Sequence, residues 1–571
     1  MANEIEALAR KYAVKNAVDY GRADATAVLS KVIPRAKELK LSMQEVRRIV
    51  EGAVKAANSL SKNELEKAYE QYEEEFEEGA KQKAEKTSKP RIELDRKIIG
   101  NVATRFPPEP SGYIHIGHTK QLFLSKAIAE RYNGKLFLYF DDTNPKKEKW
   151  EYVEAIKKDL EWLGVGFDRE YYASDNVEKM YEHARKLIKN GNAYVCECIQ
   201  DEIKVKRFKG EECKHRSNSP FLNEDLFEGM LSGNYAENSV VVRLKFDMRA
   251  SNTVMRDPTI MRVITMPHYK QGDRYAVWPT YHLNTPIMDS ANGVTDAIRS
   301  KEYELSTELY KTILEMLGLR VPEVHLIARL RIRDNVVQKR TLRRMIEEKQ
   351  ISGYDDPRLM TIQALRRRGI LPKAIEEFAL RFGLSKTESN VDITLLLDQN
   401  KKLIDPIAKH LFYVEDPIKM EISGQAEKVA KLALSPGSEE YRSYEVDGVY
   451  VSRSDLPSFK RDSIIALKDF ARVKIDEVKE NAIKAESASS NSFDKIVQWV
   501  PQNHSIKCKV LIPSNLLNPD GSFNKDSLKE SNGFVEDYAA QLNNGDIVQF
   551  ERFGFCILDN KEKFEFIFIS K

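Results

Sequence analysis

Residues 104–118 read Thr-Arg-Phe-Pro-Pro-Glu-Pro-Ser-Gly-Tyr-Ile-His-Ile-Gly-His, and they admit few local structures. Pro107, Pro108 and Pro110 stiffen the chain, and Gly112 loosens it again just before His115-Ile116-Gly117-His118. Thr119 to Arg131 carries apolar side chains at helical spacing with neither Gly nor Pro, which predicts a helix. The two histidines therefore sit where a loop enters a helix. A helix N-terminus presents free N–H groups and the positive end of a dipole, which suits phosphate. Two imidazoles placed there can donate further hydrogen bonds to a polyphosphate. Taken alone, His-x-x-His is better read as a turn with two exposed histidines, and the surrounding residues change that balance.

Downstream, Leu136 to Phe140 is an apolar run fit for a buried strand, and it ends in Asp141-Asp142-Thr143-Asn144-Pro145. An amphipathic helix over about 147–163 follows. Strand, polar loop and helix in that order predict an open parallel α/β sheet, whose ligands bind outside the carboxyl ends of the strands. Asp141 and Asp142 are thereby placed at a binding edge, with helix capping the plainer role for one of them. The chain has no Gly-x-x-x-x-Gly-Lys-Ser/Thr and no Gly-x-Gly-x-x-Gly, so phosphate binding would fall to the His-Ile-Gly-His element. The α/β style returns over 275–310, where Tyr281 and Arg299 could hold a small carboxylate, the arginine by a two-point fork. Val337-Gln338-Lys339-Arg340 lies in a loop before a helix, within a stretch that includes Arg329, Arg331, Arg333, Arg343 and Arg344. A solvated basic face is one reading; a mobile cation that neutralises a polyphosphate in the transition state is the other. Arg366-Arg367-Arg368 prolongs this basic run, which could contact a nucleic-acid backbone.

Cys196-Glu-Cys198 and Cys213-Lys-His215 form two pairs in a Lys- and Glu-rich segment. Three thiols and an imidazole suit closed, structural, tetrahedral Zn²⁺. So charged a segment has little core of its own, and a metal would supply stability. The alternative is three buried cysteines and a surface histidine.

The flanks differ in kind. Residues 1–85 read as helices, with capping boxes at Ser42–Glu45 and Ser61–Glu64, a Glu/Lys-saturated helix over 64–86, and a linker at 87–90. After about residue 396 the pattern turns to β, with strands expected over 443–451, 495–500, 506–512, 546–553 and 564–569 in one or two barrels. With 571 residues, roughly four domains of about 150 residues are expected. No apolar run approaches the ~20 residues that cross a bilayer, and the N-terminus lacks a signal-peptide core, so a cytoplasmic protein is expected. The formal charge of +3 hides 91 basic and 88 acidic residues, so local clusters and not the net charge would bind nucleic acid.

Taken together, the blocks from Thr104 to the C-terminus resemble the class I aminoacyl-tRNA synthetases of the glutamyl/glutaminyl branch, in their archaeal glutamyl form. Residues 104–118 look like that branch's HIGH signature, and Phe140 to Pro145 matches its next block. Val337 to Arg340 stands where the second signature lies, with Gln338 in place of the usual serine and Lys339 kept. Asp355-Asp356-Pro357-Arg358 and Leu365 to Gly369 match the helical region behind the active site, and Gly545 to Gly554 is similar to a C-terminal barrel motif. The β-rich C-terminus differs from the helical anticodon region of the bacterial glutamyl enzymes.

The resemblance implies a multidomain α/β chain. It places a helical N-terminal extension at 1–90 and a Rossmann-like catalytic domain at 96–195 and 268–345. An inserted acceptor-end-binding domain with the zinc site takes 196–267. A helical stem-contact region spans 346–395, and a β-barrel anticodon-binding region spans 396–571. It implies ATP and L-glutamate as substrates, Mg²⁺ with the nucleotide, and tRNA(Glu) as acceptor, with tRNA(Gln) a second acceptor left open. His115, His118 and Lys339 become the catalytic set. ATP would lie on Pro108, Glu109, Gly117, His118, Arg329, Leu330, Lys339 and Arg340. Glutamate would lie on Arg105 (side-chain carboxylate), Asp141 (α-ammonium), Tyr281 and Arg299. Cys196, Cys198, Cys213 and His215 would hold zinc. A monomer is expected, with the N-terminal helices a candidate surface for a protein partner. The nearest rivals are a glutaminyl-tRNA synthetase and a non-catalytic tRNA-binding paralogue. Arg299 speaks against the first, and intact His115, His118 and Lys339 against the second.

Overall fold

The computed structural model describes residues 2–39, 42–61, 64, 65, 67–69, 71, 72, 92–98, 100–336, 338–424, 429–490 and 492–571. Most of the expected Glu/Lys helix, all of the linker at 87–90, and Val337 lie outside them. The chain divides into two compact units, Met1–Pro90 and Arg91–Lys571.

In the first unit, helices Ala2–Tyr20, Ala25–Glu38 and Met43–Asn58 share one apolar core. Ile5, Ala9, Ala13 and Ala17 recur every four residues and form one stripe; Val28, Val32 and Ala36 form a second, and Val46, Val50, Ala53 and Ala57 a third. Small side chains let the backbones approach closely. Ser42 Oγ accepts from the Glu45 amide at 3.2 Å, the expected cap.

The second unit opens with three parallel strands, β1 (Ala103–Phe106), β2 (Lys135–Phe140) and β3 (Arg169–Tyr172), in the order β1-β2-β3. Helices Ile116–Arg131 and Trp150–Trp162 are their crossovers. A four-stranded antiparallel sheet follows, made of β4 (Ala193–Cys196), β5 (Val241–Leu244), β6 (Thr259–Val263) and β7 (Val277–Pro279). The parallel style then resumes with β8 (Asp296–Ser300) and β9 (Glu323–Ile327). Thr295 links the two parallel groups: its amide donates to Ala103 O at 2.8 Å and its Oγ1 accepts from the Ala103 amide at 2.7 Å. The carboxyl ends of β1, β2 and β8 thus open on one side, carrying Arg105, Asp141 and Arg299.

Between residues 409 and 570 the described residues form two seven-stranded sheets and one two-stranded pair. The stretch 443–451, expected as one strand, is two. Tyr441–Glu445 pairs with Val429–Ala433, while Gly448–Ser452 joins the first seven-stranded sheet beside Pro417–Ser423. The second sheet, ending in Glu565–Ser570, is not a separate body. Phe555, Ile557, Ile567 and Ile569 belong to the same apolar cluster as Ile116, Phe123, Phe140 and Phe378. Arg367 also pairs with Asp559 at 2.8–2.9 Å, and Arg358 reaches Ser527 at 3.0 Å. The sequence suggests that the active site works in part without residues 396–571, yet cutting there removes core from under the His-Ile-Gly-His helix.

Sequence also offers Arg442, Arg453, Lys460 and Arg461 as a grip on an RNA backbone and Tyr441, Tyr444 and Phe459 as stacking aromatics, with barrel core the better reading for Trp499, and several of these residues are interior. Arg442 pairs with buried Glu536, which also accepts from the Tyr444 hydroxyl at 2.7 Å. Phe459 and Trp499 are buried, Trp499 donating Nε1–H to Lys468 O at 2.9 Å. Arg453 is tied to Asp416, Glu480 and Asn481. Lys460 and Arg461 are exposed, and Tyr441 is half exposed.

Candidate active site

Both histidines are fixed by the helix they start. His115 is the N-cap residue of Ile116–Arg131, and its Nδ1 accepts from the Gly117 amide at 3.0 Å. His118 Nδ1 accepts from the His115 amide at 3.1 Å. With Nδ1 an acceptor on each ring, the neutral proton resides on Nε2. Burial holds the His115 imidazole well below its ordinary range, and burial with the nearby Lys339 and Arg329 charges holds His118 down to about 4. Both are therefore neutral Nε2–H donors at physiological pH. The rings lie 4.0 Å apart. Gly117 is required here, because a Cβ would come within 2.7 Å of the His115 ring.

These histidines border a cavity of about 1430 Å³, large enough for a nucleotide beside an amino acid. Its wall includes Pro108, Glu109, Gly117, Arg329 and Leu330, which the resemblance assigns to ATP, together with Arg105, Asp141, Tyr281 and Arg299. Lys339 and Arg340 do not line it; Gln338 and Thr341 do. The Lys339 ammonium donates to Ser111 Oγ, and its chain lies over Gly112, where a Cβ would meet Lys339 Cδ and Cε at 3.0 Å. The second signature therefore rests on the Pro110–Gly112 turn beside the cavity.

Around Tyr281 the two arginines differ. Arg105 gives Nε and Nη2 to Asp289 at 2.9 and 3.1 Å and Nη1 to Ile298 O at 2.8 Å, so most of its donors serve the protein itself. Arg299, 3 % exposed, gives Nη2 to the Tyr281 hydroxyl at 3.0 Å, while Nε and Nη1 are buried without a hydrogen-bond partner. The rings of Tyr281, Tyr303 and Tyr310 surround its guanidinium at 4.9–5.5 Å. A cation with two unfilled donors in a ring of aromatics fits a carboxylate. The two aspartates divide as well. Asp142 accepts from the Ser174 amide and hydroxyl and from the Tyr269 hydroxyl at 2.7–2.8 Å, a structural role. Asp141 faces the cavity, and one of its oxygens accepts from Asn284 Nδ2 at 2.7 Å.

Sequence reasoning passed over Asn284, Asp289, Glu148 and Arg262. The first two share the helix Tyr281–Ala291 with Tyr281, and their polar character among the apolar positions Leu283, Pro286, Ile287 and Met288 was the available signal. Glu148 and Arg262 line the cavity from outside the motifs.

Burial, then the charges of Glu148, Glu109 and Asp142, push the Asp141 carboxyl up to about 8. The ionised form is the one that pairs an ammonium. Below about pH 8 a bound α-ammonium must therefore expel a proton, and affinity falls as pH falls, by up to about tenfold per unit. For a substrate that places an ammonium on Asp141, the expected result is a KM that drops as pH rises from 6.5 to 8 and then levels. Steady-state kinetics across that range check it, and Asp141→Asn should flatten the profile.

The four metal-ligand candidates do meet. Their donor atoms all lie within 4.8 Å of one another, the three cysteines buried. Cys196 and Cys213 Sγ are 3.7 Å apart, and His215 Nδ1 is 3.8 Å from Cys196 Sγ and 3.6 Å from Cys198 Sγ. A tetrahedral zinc with Zn–S of about 2.3 Å and Zn–N of about 2.0 Å requires edges of about 3.5–3.8 Å. His215 Nε2 lies 3.6 Å from a Glu197 carboxylate oxygen, the kind of partner that orients a ligating imidazole. The residues fit the metal.

Three family models match this chain. The model for tRNA synthetases class I (E and Q), catalytic domain, covers residues 101–405. Two models for the anti-codon binding domain of the same class cover 408–490 and 496–559. Among curated relatives, a glutamate--tRNA ligase of Nitrosopumilus maritimus is 37% identical over 570 residues, 99% of each chain. Those of Pyrococcus abyssi and Pyrococcus furiosus are 38% and 39% identical over 98% of each chain. With a catalytic-domain model spanning more than half of it and relatives of this identity along almost its whole length, the chain belongs to the class I (E and Q) tRNA synthetases, among the archaeal-type glutamate--tRNA ligases.

Proposed function

We propose that this chain activates glutamate with ATP and transfers it to the 3′ end of tRNA(Glu). The glutamate α-carboxylate attacks the α-phosphorus of ATP, giving glutamyl-adenylate and pyrophosphate. A hydroxyl of the terminal tRNA ribose then takes the glutamyl group and AMP leaves. No side-chain nucleophile is needed, since positioning and electrostatics suffice. His115 and His118 donate Nε2–H to phosphate oxygens as neutral groups. Lys339 supplies the mobile positive charge once it leaves Ser111, and Mg²⁺ belongs to the nucleotide. Arg329 and Leu330 border the adenine. Zinc, held by Cys196, Cys198, Cys213 and His215, is structural and takes no part in a bond change.

The observation that carries glutamate is Arg299, whose two unfilled, buried donors call for an anion. Asp141 takes the α-ammonium and Tyr281 shares the pocket. Arg105 supports this site through its remaining donors. A glutamine side chain would leave the Arg299 cation buried against a neutral amide, which is costly.

The tRNA reading is tested on the full-length chain, because residues 409–570 share its core. Replacing one anticodon base should lower charging efficiency (kcat/KM for tRNA) at least tenfold. Lys460→Ala/Arg461→Ala should weaken tRNA binding and reduce the slope of log affinity against log salt by about 0.7 for each phosphate that is no longer neutralised. Indifference to the anticodon would remove these domains from tRNA selection. Running tRNA(Gln) in the same assay measures glutamate transfer to that acceptor.

A further inference from the structure

Arg243 lies in β5 directly across from Tyr194 of β4. Strand alternation puts Tyr194 and Cys196 on one face, so Arg243 is brought to the metal-ligand cluster by the pairing itself. It is 1 % exposed. Its Nη1 lies 3.9 Å from Cys196 Sγ and 3.9 Å from Cys213 Sγ. Its Nε donates to the main-chain carbonyl of Asp257 at 2.9 Å, and its Nη2 has no hydrogen-bond partner.

A guanidinium cannot shed its proton, so burying it demands an anion. The neighbouring acid gives Arg243 no side-chain hydrogen bond. The Asp257 carboxylate accepts instead from the Tyr194 hydroxyl at 2.9 Å, Arg216 Nε at 3.1 Å and the Phe246 amide at 2.7 Å. The Asp257 charge still acts on Arg243, and burial keeps the Tyr194 phenol protonated, so among the described residues the thiols are the further groups facing Arg243 that can become anionic. A divalent metal on three thiolates and one neutral imidazole carries a net charge of −1, which one guanidinium cancels. Asp257 fixes the frame around this pair: it holds Tyr194, whose hydroxyl is 3.7 Å from Cys213 Sγ, and Arg216, the residue next to His215.

We propose that Arg243 is the counter-charge of the metal centre, a positioning residue that bridges the Cys196 and Cys213 sulfurs and stabilises the three-thiolate site inside the fold. The inference rests on the zinc reading above.

The test uses full-length protein with zinc or cobalt(II) alone as probe. Wild type should hold about one zinc per chain, and Cys198→Ser should lose it. Arg243→Met should weaken zinc binding by about 10- to 100-fold in competition with a chromophoric chelator, the usual size of an outer-shell effect. Arg243→Lys, which keeps the charge but cannot reach both sulfurs in one plane, should fall between the two. The sulfur-to-cobalt charge-transfer band should shift in both variants. Metal-free Arg243→Met should melt no lower than metal-free wild type, because it no longer buries an unpaired cation, while zinc should raise its melting temperature by less. Equal zinc affinity and an unshifted cobalt band in both variants would overturn the proposal. So would an equal drop in melting temperature with and without metal, the mark of a merely structural arginine. If Arg243→Met does not fold, the Arg243→Lys affinity and spectrum decide. Metal-free, metal-indifferent wild type would overturn the zinc reading itself, an outcome distinct from the other two.

Discussion

Lys339→Ala is expected to slow glutamyl-adenylate formation by about 10²- to 10³-fold while leaving the apparent affinity for glutamate within a few-fold of wild type. The ammonium stands outside the cavity wall, on Ser111 and over Gly112, so it contributes little to ground-state binding in this position. Its charge is useful only when negative charge builds on the departing pyrophosphate. An interaction made only in the transition state lowers the rate constant without raising the Michaelis constant. The helix Lys339–Glu347 begins at this residue, so it sits at a hinge between loop and helix, where a small backbone change redirects its chain. Single-turnover activation kinetics measure the effect. An unchanged rate constant would reject the role.

Arg299→Leu should be as severe, with a different signature. Removing one partner of a buried charge pair costs about 3–5 kcal/mol, so glutamate kcat/KM should fall between a hundredfold and several thousandfold. In the ligand-free protein, however, Arg299 is a buried cation with two unfilled donors, and its loss should leave the melting temperature unchanged or higher. Arg105→Leu makes the contrast. It would strand the buried Asp289 carboxylate, and the folded state should lose about 3–5 kcal/mol. Activity and thermal melts on the two variants separate a substrate-binding arginine from a scaffold arginine; equal destabilisation by both would contradict the assignment.

These contrasts show where sequence reasoning stops. The His-Ile-Gly-His helix start was legible because proline, glycine and an unbroken apolar period fix it locally, and the capping contacts of His115 and His118 follow from that position. The parallel strand before Asp141 was legible for the same reason. Which of Asp141 and Asp142 faces the cavity came from the resemblance and not from the residues themselves, since Ser174 and Tyr269, which claim Asp142, come from distant segments. Arg105 and Arg299 look alike in sequence, and only the long-range partner Asp289 tells them apart. In the C-terminal sheets, alternation located some strands but not the sheet each joins, so residues 443–451 read as one strand although they serve two. Arg442 looked like an RNA contact because its partner, Glu536, lies 94 positions away.

The central claim is that the cavity of His115, His118, Asp141 and Arg299 makes glutamyl-adenylate. ATP–pyrophosphate exchange, measured with glutamate and with glutamine, each with and without tRNA, tests it most directly. Exchange that depends on glutamate and falls by at least two orders of magnitude with glutamine is the predicted result. Exchange supported equally or better by glutamine, or none with either amino acid in the presence of tRNA, would contradict it.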